Sequence, residues 1–264
     1  MYSFNYRRVS SVDEAVAALG KAEDGKLMAG GMTLLPTMKQ RLAQPSDLID
    51  LSGVGALAGI KREGNRIVIG AMTRHADVAD SAEVRSAIPA LAHLAGRIGD
   101  PQVRNRGTIG GSIANADPAA DYPAAVVGLG ATVHTNQREI AGDDFFTGMF
   151  DTALEDGEII TAVSFPVPEK AAYVKFPNPA SRYAVVGVMV ARTGGGVRVA
   201  VTGAGPSVFR VPAMEAALAK SFSAAALDGI TVAADDLNTD IHASAEYRAH
   251  LVGVMAARAV AAAG

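Results

Sequence analysis

The chain has 264 residues, 49% of them hydrophobic and 19% charged, a composition that supports a buried core and excludes disorder as the main state. Its 24 basic and 27 acidic residues leave a formal charge of −3, without the basic excess that neutralises a phosphate backbone, so no nucleic-acid partner is expected. Having no cysteine, it holds no disulfide, thiol nucleophile or thiolate-bound iron–sulfur cluster, and any redox chemistry has to come from a bound cofactor.

The N-terminal run from Met1 to Arg8 has no apolar stretch of signal-peptide length, and Gly, Asp or Arg cuts the apolar runs elsewhere. A cytoplasmic protein without a membrane span is therefore expected. Ser11 and Glu14 have capping-box spacing and predict a helix over Val12–Leu19. A short apolar step, Lys26–Ala29, enters Gly30-Gly31, and helical spacing resumes over Leu34–Leu42, which puts the glycines in a strand-to-helix turn. Leu48–Leu51 and Arg66–Gly70 read as strands, and His75–Ala79 and Ala87–Ile98 as helices. From Gly99 to Asp121 the chain is rich in Gly, Asn, Asp, Pro and Arg with little periodicity, the texture of a binding loop. A helix over Tyr122–Leu129, a strand over Ala131–Thr135 and a strand over Ile159–Phe165 follow, and Pro166 and Pro168 mark a domain boundary. Beyond it, strands at Tyr173–Phe176, Val185–Arg192 and Val197–Thr202, with a bend at Gly194-Gly195-Gly196, predict an antiparallel meander followed by alanine-rich helices.

Chemistry concentrates in two glycine segments. Ala29-Gly30-Gly31-Met32-Thr33 is either an ordinary tight turn or a cradle whose amides approach an anion. It lacks both the Gly-Lys-Ser/Thr end of a Walker loop and the Gly-x-Gly-x-x-Gly dinucleotide fingerprint. Thr108-Ile109-Gly110-Gly111-Ser112 offers a second amide-rich nest, and two nests can grip the two phosphates of one dinucleotide. Asp121 precedes an apolar helix and reads either as its N-cap or as an acceptor for a ribose or adenine edge.

The run Ala29-Gly30-Gly31-x-Thr33-Leu34-Leu35-Pro36, with Thr108-Ile109-Gly110-Gly111-Ser112 and Ala116-Asp117-Pro118-x-x-Asp121, resembles the FAD-binding medium subunit of the carbon monoxide dehydrogenase and xanthine dehydrogenase (molybdenum hydroxylase) family. Tyr173 to Phe176, Ser181-Arg182-Tyr183 and Ser244 to Arg248 resemble that family's second domain, so the likeness spans nearly the whole chain. The resemblance implies an α+β fold: a two-lobed FAD domain of the vanillyl-alcohol-oxidase (PCMH) type over residues 1–168, with lobes of about 1–55 and 56–168. A small α+β domain with a three-stranded antiparallel sheet and helices would follow over 169–264.

The resemblance further implies non-covalent FAD, with Met28, Ala29, Gly30, Gly31, Met32, Thr33, Leu34 and Leu35 along the diphosphate and flavin. Thr108, Ile109, Gly110, Gly111 and Ser112 would form the opposing nest. Asp121 would meet the adenosine half, Ile98 and Ile160 would give apolar contact, Lys175 would reach the cofactor from the second domain, and Tyr183 would lie near the isoalloxazine ring. Met32 stands where the carbon monoxide dehydrogenase type carries a histidine. The implied function is electron transfer in a dimer of heterotrimers. A large subunit would carry molybdenum–pterin and a small one [2Fe–2S] clusters, and this chain would discharge the electrons to an external acceptor. Alternatives are a self-sufficient FAD oxidase of a small alcohol and a flavin-free scaffold.

The five histidines show no metal-ligand spacing, no Ser sits in a nucleophile elbow, and His75 and His93 read as surface or capping residues. Asp143-Asp144 and Glu155-Asp156 read as solvated turns, and the last helix, with Tyr247, Leu251, Val254 and Met255 at helical spacing, as packed into its own domain.

Overall fold

The structure, a computed structural model, describes residues 1–264. The first lobe alternates β1 (Asn5–Arg8), α1 (Val12–Leu19), β2 (Gly25–Met28), α2 (Leu34–Lys39) and β3 (Asp47–Asp50). Its three strands pair in parallel in the order β1-β3-β2. The Ser11 hydroxyl accepts from the Glu14 amide as expected. The Glu14 carboxylate, however, passes Ser11 and accepts from the Ser10 amide (2.9 Å) and hydroxyl (3.0 Å) and from Arg7 (2.8 Å). Helix α2 stops at Lys39, short of the expected Leu42, because Arg41 turns left-handed at φ 63°.

The second lobe is built on an antiparallel sheet in the order β4-β5-β10-β6-β7, from strands β4 (Ile60–Glu63), β5 (Arg66–Gly70), β6 (Thr132–Thr135), β7 (Glu139–Ala141) and β10 (Ile160–Pro166). Six helices are inserted between β5 and β6: α3 (His75–Asp80), α4 (Ala82–Ala87), α5 (Pro89–Gly96), α6 (Pro101–Arg104), α7 (Ile109–Asn115) and α8 (Tyr122–Gly128). The continuous helix expected over Ala87–Ile98 is broken at its start, since Ile88 before Pro89 leaves the helical region and Pro89 begins a new helix at N1. Two short helices occupy the segment read as a binding loop with little periodicity. Asp100 caps the first through the Val103 amide (2.9 Å) and Thr108 caps the second through the Gly111 amide (3.2 Å). Glycine-rich composition hides such helices, because their amides are satisfied by caps and neighbouring chain and not by propensity. Helix α9 (Gly142–Phe145) and the small ribbon of β8 (Phe146–Gly148) and β9 (Asp151–Thr152) lead on to β10.

After β10 the chain enters a second antiparallel sheet of β11 (Lys170–Pro177), β12 (Ala184–Thr193) and β13 (Gly196–Thr202), to which the two-residue β14 (Phe209–Arg210) adds a fourth, short strand. Both faces of this sheet are covered. Tyr173, Met189 and Ala191 join the core of the second lobe, whereas Ala172, Val186, Val188 and Val190 pack under α10 (Pro212–Lys220) and the long α11 (Ala245–Ala263). Double burial explains why β12 reads as an unbroken apolar run instead of alternating. Leu251 and Met255 of α11 lie in that core, while Tyr247 stays exposed. No helix is long and apolar enough to cross a membrane.

The contact between lobe and sheet is tight at Gly128, where a Cβ would lie 2.6 Å from Met189 Cγ. Gly128→Val is expected to cost ~1–3 kcal/mol through overpacking. Urea unfolding checks this: a lower midpoint with an unchanged slope is expected.

Candidate cofactor site

A cavity of about 670 Å³ opens among the first lobe, the second lobe and the loop after β11, within the ~300–1,000 Å³ typical of cofactor sites. It lies past the C-terminal end of β2, where open parallel sheets place ligands.

The turn from β2 into α2 forms one wall. The backbone N–H groups of Ala29, Gly30, Gly31, Met32, Thr33 and Leu34 donate to nothing in the chain, leaving six consecutive donors beside the cavity. Gly31 takes φ +74°, and at Gly30 a Cβ would overlap the carbonyl of Arg106. That close approach brings the two glycine segments together, so both glycines are dictated by geometry. An array of free amides at a turn is an anion cradle, and it fits a diphosphate.

The second glycine segment is built differently from the expected nest. The Ile109 amide donates to Thr73 O (3.1 Å), Gly110 to Ala71 O (2.8 Å), Gly111 to the Thr108 hydroxyl, and Ser112 to Thr108 O (3.0 Å). With these amides spent, the segment faces the cavity through Ser112 and the surfaces of the glycines. Gly110 is there for packing, since a Cβ would lie 2.6 Å from Ala71 Cβ. At Gly111 it would press within 3.2 Å of Ala29 Cβ, on the cradle itself.

Asp121 lines the cavity but is no N-cap: it has helical backbone angles and no capping bond. Its carboxylate accepts from Tyr173 Oη (2.6 Å) and pairs with Lys175 Nζ (2.9 Å). Burial pushes the Asp121 carboxyl up, against the pull of Lys175. Gly187 makes this contact available, because a Cβ there would overlap the Tyr173 hydroxyl that reaches across it. Lys175 does not line the cavity; its ammonium also donates to Arg97 O (2.9 Å) and Arg182 O (2.8 Å). Met28, Leu35 and the fully buried Ile109 likewise stand behind the wall, whereas Ile98, Ile160, Met32 and Tyr183 are on it. Tyr183 is 43% exposed overall, and burial, then the charges of Asp117 and Asp121, push its phenol up.

Sequence reasoning missed several wall residues. Asn115 and Asp117 lie in the segment that carried the resemblance, and burial pushes the Asp117 carboxyl up. Phe150, at the tip of the β8–β9 ribbon with φ +55°, has no signal in the sequence. His75 is not on the surface: it is 4% exposed, rests against the Tyr122 ring at 5.4 Å, lines the cavity, and leaves its Nδ1 unpartnered. Burial, and next the charge of Arg104, hold the ring down to about 4. Asp143 is also more than a solvated turn residue, since it pairs with Arg198 across the domain junction. No group of side chains could hold a metal ion.

The fold and the cradle together define an α+β protein built to bind a diphosphate-bearing ligand. The family described as the FAD binding domain in molybdopterin dehydrogenase matches residues 2–168, and the carbon monoxide dehydrogenase flavoprotein C-terminal domain matches residues 171–263. The chain is 37% identical to the carbon monoxide dehydrogenase medium chain of Hydrogenophaga pseudoflava, covering 98% of this chain and 96% of that one. It is 36% identical to the nicotine 6-hydroxylase medium subunit of Paenarthrobacter nicotinovorans, covering 99% and 98%. The solved carbon monoxide dehydrogenase from Hydrogenophaga pseudoflava superposes with a TM-score of 0.90 at 39% identity, over 99% of this chain and 97% of that chain. Quinoline 2-oxidoreductase from Pseudomonas putida 86 superposes with a TM-score of 0.89 at 29% identity, over 99% and 97%. The chain belongs to the FAD-binding medium-subunit family of molybdenum hydroxylases, and its cofactor is FAD.

The buried neutral His75 has a pH consequence. Its folded value of about 4 lies below the ordinary 6.5, so the unfolded chain takes up the proton first. The contribution is complete above the unfolded value and is lost as pH falls from about 6.5 toward about 4. The shift corresponds to ~3 kcal/mol. His75→Phe is expected to flatten this part of the stability-against-pH curve, read by urea unfolding at successive pH values.

Proposed function

We propose that this chain is the electron-transfer subunit of a cytoplasmic molybdenum hydroxylase, assembled with an iron–sulfur small subunit and a molybdenum large subunit as a dimer of heterotrimers. In this reading residues 1–168 form the FAD domain and 169–264 the C-terminal domain. The observation that carries the reading is the row of six unspent amides from Ala29 to Leu34 at the cavity wall.

Bound FAD supplies the capacity to take up electrons from iron–sulfur clusters and release them to an external acceptor. The chain's own residues bind and orient it. The Ala29–Leu34 amides hold the diphosphate, Thr108 and Ser112 border it from the neighbouring segment, Asp121 meets the adenosine half, and Ile98 and Ile160 give apolar contact. Met32 and Tyr183 line the flavin half, where Tyr183 excludes water from one side. Met32 offers no imidazole proton, so no proton transfer is assigned to that position. Non-covalent attachment is supported by the absence of cysteine and by the placement of His75, whose Nδ1 is buried and whose Nε2 is packed against Gly107.

Acid precipitation of the yellow protein is expected to release all the flavin as FAD, with none in the pellet. Gly31→Val forces a β-branched residue into a left-handed conformation, which costs roughly 1–2 kcal/mol. It should weaken FAD binding at least about tenfold in a chain that still folds, as measured by titration of apoprotein with FAD. Gly110→Ala, by contrast, should lower folding stability by ~1–3 kcal/mol, because its Cβ meets Ala71. The subunit assignment is checked by turnover. The isolated chain should bind FAD yet leave the substrate of the assembled enzyme untouched, and metal-free turnover by this chain alone would instead show a self-sufficient oxidase.

A further inference from the structure

We infer that Lys175 is a positioning residue: its ammonium fastens the loop Asn178–Tyr183 over the cofactor cavity and acts through Tyr183 without touching the cofactor. The inference rests on the FAD reading only for the identity of what lies beneath Tyr183. A lysine ammonium has three N–H groups. Here they meet Arg97 O at 2.9 Å, Arg182 O at 2.8 Å and the Asp121 carboxylate at 2.9 Å. The side chain is 2% exposed and lies outside the cavity wall, so no donor is left for a ligand. The three acceptors come from three separate pieces of the wall: the residue before Ile98, the residue before Tyr183, and Asp121 itself.

The loop it holds is strained. Arg182 is a non-glycine residue at φ +64°, a conformation that persists only where the surroundings over-determine it. Within the loop, the Arg182 amide donates to Asn178 O, the Asn178 amide to Tyr183 O, and Asn178 Oδ1 accepts from the amides of Ala180 and Ser181. These bonds shape the turn but do not anchor it to the second lobe. Anchoring at the strained residue comes from the buried Lys175 bond to its carbonyl. The Arg182 guanidinium adds only a long contact to Gly99 O at 3.4 Å. Tyr183 follows directly, and the Ala184 amide beyond it donates to Ala119 O (3.2 Å), so releasing the Arg182 carbonyl loosens the cover of the cavity on the side that this second bond does not hold.

The test uses the full chain. Lys175→Met alone strands the Asp121 carboxylate and threatens folding, so the decisive variant is Lys175→Met with Asp121→Asn, which buries no unpaired charge. Hydrogen exchange is read first without FAD. The amides of Asn178 and Arg182 should exchange at least about tenfold faster than in the parent, with Val186 to Val190 unchanged. Asp121→Asn alone should leave the loop protected, since the bond to Arg182 survives. Flavin fluorescence of the FAD-loaded chains is read second, because a phenol close to the ring quenches it. Tyr183→Phe and the double variant should each raise the emission, and combining them should add nothing. Unchanged exchange in the loop overturns the inference. Additive fluorescence changes overturn it too, as does a loss of FAD affinity well beyond that of Asp121→Asn alone with a quiet loop, which would mean direct contact between Lys175 and the cofactor. If the parent chain takes up no FAD, the functional reading fails, and the exchange measurement still decides the role of Lys175.

Discussion

One buried carboxylate organises this molecule. Asp121 sits at the start of α8 with its oxygens turned away from the helix and toward the second domain, where Tyr173 and Lys175 satisfy them. A carboxylate at this depth is costly unless it is paired and hydrogen-bonded, and removing one member of such a pair commonly costs ~3–5 kcal/mol. The sheet that provides the partners is therefore bound to the second lobe by chemistry as well as by apolar packing. Thr202 and Gly203 reinforce the junction by donating to carbonyls in Pro118–Ala120, immediately before Asp121.

That junction settles the form of the cavity. The loop from Ala116 to Asp121 is held on one side by the C-terminal sheet. On the other, Phe150 donates its amide to Ala116 O, which places the tip of the β8–β9 ribbon at the mouth. The first lobe closes the opposite wall through the approach of Gly30 to the Arg106 backbone. The cores of the two lobes thus meet at the cavity, Leu51 and Ile159 reaching it from the first and Ala71 and Ile160 from the second, while the core under α10 and α11 lies behind the sheet. Ile159 and Ile160 show how finely the division is made, since adjacent residues on one strand approach belong to different cores.

The two glycine segments look alike as sequence and do unlike work. In the first, the glycines leave donors free and permit a left-handed turn. In the second, the amides are consumed by Thr73, Ala71 and Thr108, and the missing side chains allow α7 to lie against β5 and the first lobe. Composition cannot separate these uses, because both require a residue without a Cβ. The separation is made by which carbonyls come within reach after folding.

The sequence by itself determined the α+β order of elements, the strand-to-helix position of Gly30-Gly31, the meander after Pro168 and the family to which the spaced motifs point. These are local or ordered features, carried by periodicity, capping residues and motif spacing. Tertiary structure alone decided the partners of the buried polar groups. The sequence left Asp121 as a helix cap or an acceptor for a ligand, and only the register that brings Tyr173 and Lys175 of β11 to it removes the cap and gives its carboxylate an ion-pair partner at the cavity. His75 could have been a surface residue, and only the helices packed around it strip away its water and hold its ring neutral. Burial and long-range pairing depend on contacts between residues far apart in the chain, and no local pattern encodes them.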